Sequence, residues 1–246
     1  MTFNRRFLYA ALPSTLALLF HANAPAQSVD RSKTIKEIAS LKKQFIEKEK
    51  QFLSPSAEDQ AAFAEFLKRP DTGLIRLFPA GLYQDVLLTG GGGALYSFAR
   101  LTHESRGGSD IGLRPVPKED SAPTPIAECE LHPALTGFIV SLGDVPLDKV
   151  TLDHDGVKFL GAYDAPSTLP ERRAEFQRAR DGVGENGFEY KRYAPVIVNH
   201  TYALRSIVYD RSDVLVAFRV VRKEIDGSVV ILWKTLKRFP RPVVRR

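Results

Sequence analysis

The stretch QDVLLTGGGGALYSFARLTHESRGGSDIGLR, Gln84 to Arg114, decides how the chain reads. Four glycines (Gly90 to Gly93) lead into an aromatic-rich segment. A polar cluster follows: Thr102, His103, Glu104, Ser105, Arg106 and Asp110. Apolar runs punctuated twice by glycines predict strand, turn, strand, turn, strand.

The glycine run admits two functional readings and one steric one. A phosphate loop needs a helix after its glycines, so that backbone N–H groups and the helix dipole face the anion, and it closes on Lys-Ser or Lys-Thr. Here Ala94-Leu95-Tyr96-Ser97-Phe98 follows, with the aromatics of a strand, so nucleotide binding is not expected. The steric reading is a bend or bulge where only glycine fits. The other functional reading is a loop that lets a ligand lie against backbone, with Gly91, Gly92, Tyr96 and Arg106 as the contacting residues.

The polar cluster carries the residue types of several sites. His103-Glu104 begins like a zinc-protease helix, but position 107 is glycine where a second histidine is needed. Ser97, His103 and Asp110 include the types of an acyl-transfer triad without the glycine-flanked serine elbow. A hydrolase centred on His103, Glu104 and Asp110 is therefore one expectation. The other is that these side chains hydrogen-bond the turn and its strands.

Outward from this stretch, the C-terminal part reads most clearly. Thr201 to Tyr209, Asp213 to Lys223 and Ser228 to Phe239 are three β-rich runs. Asp226-Gly227 joins the last two as a two-residue hairpin turn, which sets Val220 opposite Trp233 and Phe218 opposite Thr235. Val214, Val216, Phe218, Val220, Ile231 and Trp233 then share one face, which must be buried. The other face places Arg219 opposite Lys234, with Lys223 and Arg238 near. Like charges so placed imply solvent, an acidic neighbour or an anionic ligand.

On the N-terminal side, Ile35, Ile38, Leu41, Phe45 and Phe52 recur at helical spacing and predict a helix over 31–53. Ser54-Pro55-Ser56 stops it and starts a second, Ser56 to Lys68. Both are expected to pack on a sheet. Leu74 to Phe78 is a short apolar piece. Strands are expected over 137–142 and 149–160, with Asp153-His154-Asp155-Gly156 as a hairpin turn in the second; that turn lacks the ligand count of a calcium loop. Pro115 to Pro133 reads as a long surface loop. Thr168 to Asp181 predicts one further surface helix, ended by glycines. Asn199-His200-Thr201 matches a glycosylation acceptor, which matters only in a eukaryotic secretory route.

Composition bounds the rest. With 43% hydrophobic and 26% charged residues the chain is globular in type, and 246 residues suffice for one large domain with a helical appendage. Arg5 and Arg6, the apolar run Phe7 to Phe20 and the small residues Ala22 to Ala26 form a signal segment over 1–26, too short to span a bilayer. No later segment is apolar enough to cross a membrane. Cys129 is the single cysteine, so no internal disulfide is possible; its pairing with His132 as a nucleophile lacks any visible activation. The net charge of +6 is concentrated at the end: Gly227 to Arg246 holds six basic residues and no acidic one. That end offers salt-screened attraction to anionic polymers but no base-reading module, so nucleic acid is not an expected partner.

Two blocks, GGGGALYSFARLTHES (90–105) and TYALRSIVYDRSDVLVAFRVVRKEIDGSVVILWKTLKRFP (201–240), resemble those of exported bacterial proteins of unassigned function. The resemblance covers about a quarter of the chain. It implies a periplasmic or extracellular location and no activity.

The expected fold is α+β: an antiparallel sheet built as a meander, closed as a sandwich or half-barrel, with two N-terminal helices and one later surface helix. The expected organisation is a signal segment (1–26), a helical segment (27–72), a β-rich domain (73–240) and a basic tail (241–246). The preferred function is a non-catalytic, exported binding or envelope-associated protein. Its contacts would come from Gly91, Gly92, Tyr96, Arg106, Arg219 and Lys234, and its partner would be an anionic envelope polymer, a glycan or a peptide. No cofactor or metal is expected.

Overall fold

The computed structural model describes residues 31–104, 107–116 and 128–244. The expected signal segment and Arg106 lie outside the described residues. By its contacts the chain divides into two units, 1–42 and 43–246. Of the first unit the described part is helix; everything below concerns the second.

Helix α1 (Arg31–Leu53) ends at Ser54, whose hydroxyl donates to the Lys50 carbonyl at 2.7 Å. Its last turns bury Glu49 and Leu53 and stack Phe52 on Phe78, with ring centroids 4.9 Å apart. Ser56 then caps α2 (Ala57–Ala62) in a capping box with Asp59. The expected second helix breaks at Phe63 and resumes as α3 (Ala64–Leu67).

Ten strands form two five-stranded antiparallel sheets. The first has the order β1-β12-β11-β10-β6, from β1 (Thr72–Leu77), β6 (Thr136–Gly143), β10 (Thr201–Val208), β11 (Ser212–Lys223) and β12 (Val229–Arg238). The second has the order β3-β2-β4-β5-β9, from β2 (Leu95–Ser97), β3 (Thr102–His103), β4 (Ile111–Pro115), β5 (Cys129–Pro133) and β9 (Ala194–Pro195). One core lies between them: Val214, Val216, Phe218, Val220, Ile231 and Trp233 from the first sheet meet Tyr96, Phe98, Ile111, Leu113 and Leu131 from the second. The fold is α+β, and the sheets form a sandwich.

The shared face of β11 and β12 is the expected one, but the register is not. Phe218 pairs with Trp233 and Val220 with Ile231. Two features cause the shift. The turn holds three residues, Ile225 to Gly227, with the Glu224 N–H donating to Ser228 and Gly227 at φ 82°. A bulge then falls between Val220 and Arg222. Together they move the pairing by two residues, an even number, so every side chain keeps its face. Arg219 consequently opposes Leu232, and Lys234 opposes Ala217.

That second face is not open to solvent. Ala203, Leu215, Ala217 and Leu232 form a second core with Phe138, Val140, Val157, Leu160 and Tyr190. Helices α4 (Asp155–Ala162) and α5 (Leu169–Asp181), together with the hairpin β7 (Val183–Glu185) and β8 (Phe188–Tyr190), supply its other side. Covered on both faces, all eight residues of β10 are buried.

Three further expectations are corrected. The segment 149–160 is not a strand: His154 Nδ1 accepts the Gly156 N–H at 3.2 Å and caps α4, so the polar cluster starts a helix and does not turn a hairpin. The loop expected over 115–133 ends in strand β5, whose Cys129, Leu131 and Pro133 alternate into the core. The strand expected before the glycines is absent, because the Val86 and Leu87 N–H groups both donate to the Tyr83 carbonyl and close a helical turn instead. The late surface helix appears as expected in α5, with a Thr168–Glu171 capping box and Gly182 at its end.

Candidate functional site

The glycine run is first a steric device. Gly91, Gly92 and Gly93 take φ of 84°, 61° and 79°, three successive left-handed residues that side chains resist. A Cβ on Gly92 would lie 2.5 Å from the Gln84 nitrogen, and one on Gly93 would lie 2.5 Å from Leu53. The Phe78 N–H donates to the Gly93 carbonyl and ties the turn to the end of β1. Sharply bent and packed on one side, the run offers Gly90 and Gly91 to a pocket on the other.

That pocket has a volume of about 540 Å³. Leu95, Leu113 and Leu135 give it an apolar part, and two arginines, Arg114 and Arg192, line it with the glycines. Arg114, on β4, donates through Nε and Nη2 to Glu130 Oε2 at 3.1 and 2.8 Å, and its guanidinium lies 3.7 Å from the Tyr193 ring centre. Arg192 is buried; its Nη1 donates to the Leu135 carbonyl at 2.5 Å, and its guanidinium lies 4.3 Å from the Phe176 ring centre. Each guanidinium is thus within cation–π range of an aromatic ring, a contact that helps hold an arginine in place. Arg114 Nη1 and Arg192 Nη2 make no hydrogen bond to a described residue. His132 also lines the pocket, seated opposite Gly112, where a Cβ would lie 2.7 Å from the imidazole. No acidic side chain lines it among the described residues.

A second, smaller pocket of about 380 Å³ lies between the last turns of α1 and the β2–β3 pair. His103 and Tyr96 line it, their rings edge to face at 5.3 Å, together with Glu49. Burial lowers the His103 pKa to about 4, against the opposing pull of its Leu95 hydrogen bond and the Glu49 charge, so the ring is neutral at neutral pH. Burial, and then the charge of Asp110, push the Tyr96 phenol up to about 12.

The three residues expected to form a hydrolytic centre enter three separate arrangements. His103 Nδ1 donates to the Leu95 carbonyl at 3.2 Å. Glu104 pairs with Arg100. Asp110 is fully buried between the sheets, where Ser97 Oγ and the Ala99 N–H donate to one oxygen at 3.0 Å each, and Ser206 Oγ and Ser212 Oγ to the other at 3.2 and 3.4 Å. Burial raises its pKa, and those donors offset only part of the rise. Asp110 therefore staples β2 to β10 and β11.

The expected ligand contacts also divide. Gly91 lines the larger pocket and Tyr96 the smaller, while Gly92 packs on the Tyr83–Gln84 backbone. Arg219 is engaged by Asp144 at 2.7 Å and by the Val145 carbonyl, so its like-charge surroundings are answered by an acidic neighbour. Lys234 Nζ donates to the Asp148 carbonyl at 3.4 Å. Cys129 is buried, and burial pushes its thiol pKa up, the opposite of what a nucleophile needs.

As pocket residues, Arg114, Arg192, Tyr193, Phe176 and Glu49 escape the sequence reading, and His132 is weighed there only as a partner of Cys129. Only His132 carried a visible signal, in the alternation of Cys-Glu-Leu-His-Pro that marks β5. The others are brought together by tertiary packing. No protein-family model, no curated protein and no solved structure matches this chain.

Proposed function

We propose that this chain is an exported, non-catalytic binding protein that holds a small organic anion in the pocket beside its glycine turn. The anionic group, a carboxylate or a phosphate, lies between Arg114 Nη1 and Arg192 Nη2, and the apolar part takes the rest of the ligand. An acidic glycan or a peptide carboxylate from the bacterial envelope has this chemistry. One observation carries the reading: two arginines lie within cation–π range of aromatic rings at the same pocket with no acidic side chain lining it. Arg114 is already answered by Glu130, whereas buried Arg192 has only neutral acceptors among the described residues, and burying such a charge is costly unless a counter-charge completes it. A hydrolase at His103, Glu104 and Asp110 has less support, because the three would have to meet at one reacting atom.

Calorimetric titration with benzoate, phenyl phosphate and glucuronate tests the proposal, with benzyl alcohol as the neutral control. Saturable binding of at least one anion is expected, together with a loss of about tenfold or more in Arg114→Ala or Arg192→Ala, the scale of one charge-assisted contact. Binding that the alcohol matches, or that both variants retain while folded, counts against it.

A further inference from the structure

The smaller pocket combines features that no part of the anion reading uses. Glu49 comes from α1 and is 8% exposed. Its Oε1 accepts the Thr89 N–H at 2.7 Å, and it forms no ion pair with a described residue. Lys50 borders the same pocket, but it is exposed and makes no bridge to Glu49. A carboxylate this buried is normally answered by a cation.

His103 supplies a second acceptor. Its Nδ1 faces the Leu95 carbonyl, which can only accept, so Nδ1 carries the proton of the neutral ring. The remaining lone pair is then on Nε2, for which no described residue provides a hydrogen-bond donor. The Tyr96 ring, with Leu53, Leu74, Ile75 and Leu101, supplies an aromatic and aliphatic wall. The site therefore offers a carboxylate, an imidazole lone pair and a π face. Two protein ligands of metal-binding type are too few for a metal cage.

We infer that this pocket binds the primary ammonium group of an amine ligand, with Glu49 and His103 Nε2 accepting its N–H bonds and the aliphatic wall covering its carbon chain. The site is separate from the anion pocket, and its success or failure is independent of it.

The experiment is calorimetric titration of the full chain at neutral pH with n-butylammonium chloride, 1-butanol and sodium butyrate. A parallel nitrogen NMR spectrum follows the imidazole of His103. The expected result is saturable binding of butylammonium, with butanol and butyrate weaker by about tenfold or more, the factor carried by a charge-assisted hydrogen bond. The His103 Nε2 resonance should shift with the amine alone. Glu49→Gln keeps an acceptor for Thr89 and removes the charge, so it should weaken the amine by a similar factor. Butanol binding as well as the amine, no saturable amine binding, or amine binding unaltered in a folded Glu49→Gln protein would each overturn the inference. The comparison of ligands on the unaltered chain decides even where the variant does not fold.

Discussion

Asp110 joins the two sheets through four accepted hydrogen bonds and, among the described residues, no cation, which sets up a contrast between two substitutions. Asp110→Ala strands the Ala99 N–H and the hydroxyls of Ser97, Ser206 and Ser212. A buried donor left without a partner costs about 1–3 kcal/mol. The hydroxyls can rotate toward other acceptors, whereas the backbone N–H cannot. The substitution also relieves the cost of burying a carboxylate. The net expectation is a loss of about 2–4 kcal/mol, or roughly 5–15 °C in melting temperature for a chain of this size. Asp110→Asn behaves differently. Its oxygen can keep Ser97 and Ala99, its amide can donate to Ser206 and Ser212, and it buries no charge. It should cost about 1 kcal/mol or less at neutral pH.

The pH dependence sharpens the test. Burial raises the folded-state pKa of Asp110 above its ordinary 3.8, so the folded protein holds this proton more tightly than the unfolded chain. Its contribution to stability is greatest below pH 3.8 and is lost as pH rises through the folded value. The advantage of the native chain over Asp110→Asn must therefore widen on acidification. Urea unfolding followed by the fluorescence of Trp233, the sole tryptophan, which sits in the same inter-sheet core, reads both effects. If Asp110→Asn proves as damaging as Asp110→Ala, or its gap to the native chain stays flat with pH, the account of a hydrogen-bonded but under-solvated carboxylate is wrong.

Gly92→Ala combines a left-handed φ of 61° with a Cβ 2.5 Å from backbone, and should cost about 2 kcal/mol or more. Gly81→Ala, at φ 92° with nothing within 4 Å, should cost about 1 kcal/mol, and equal losses in denaturant midpoint would sink the steric argument. His103, with a folded pKa of about 4 against 6.5 unfolded, should weaken the fold as pH falls from 6.5 towards 4, because the unfolded chain takes up the proton first. His103→Asn should flatten that part of the acid profile, and a proton NMR titration midpoint near 6.5 in the native chain would refute it.

How much of this was legible in the sequence depends on whether a feature is local. The faces of β11 and β12 follow from alternation alone, and they survived a wrong turn length because the error, a three-residue loop plus one bulge, happened to be even. The start of α2 near Ser56 and the span of α5 are local chemistry and follow from the sequence, although the sequence reading does not single out the capping boxes Ser56–Asp59 and Thr168–Glu171. His154 misled, because Asp, His and Gly start helices as readily as they turn hairpins. The basic face is open to three readings in the sequence, solvent, an acidic neighbour or an anionic ligand, and Arg219 takes the second through Asp144. Nothing in β11 or β12 states that α4 and α5 will cover them, and Arg219 finds Asp144 from a distant loop. The candidate site follows the same division. The conformational demand of the glycines is written in their identity, whereas Arg114 and Arg192 share a pocket only because β4 and the segment after β8 meet.

One feature of the second core bears on handling the protein. Arg205 and Asp213 form a bidentate pair at 2.5 and 2.8 Å beneath α4, and Phe239 lies over the guanidinium with its ring centre 3.1 Å away. The same segment is anchored where the Asp210 N–H donates to the Pro242 carbonyl at 2.9 Å. A trypsin-like protease drawn to Lys237 or Arg238 would strip off this aromatic cover and let water reach the ion pair. Clipped preparations should therefore melt earlier than intact ones, and intact mass deserves checking before any calorimetry is trusted.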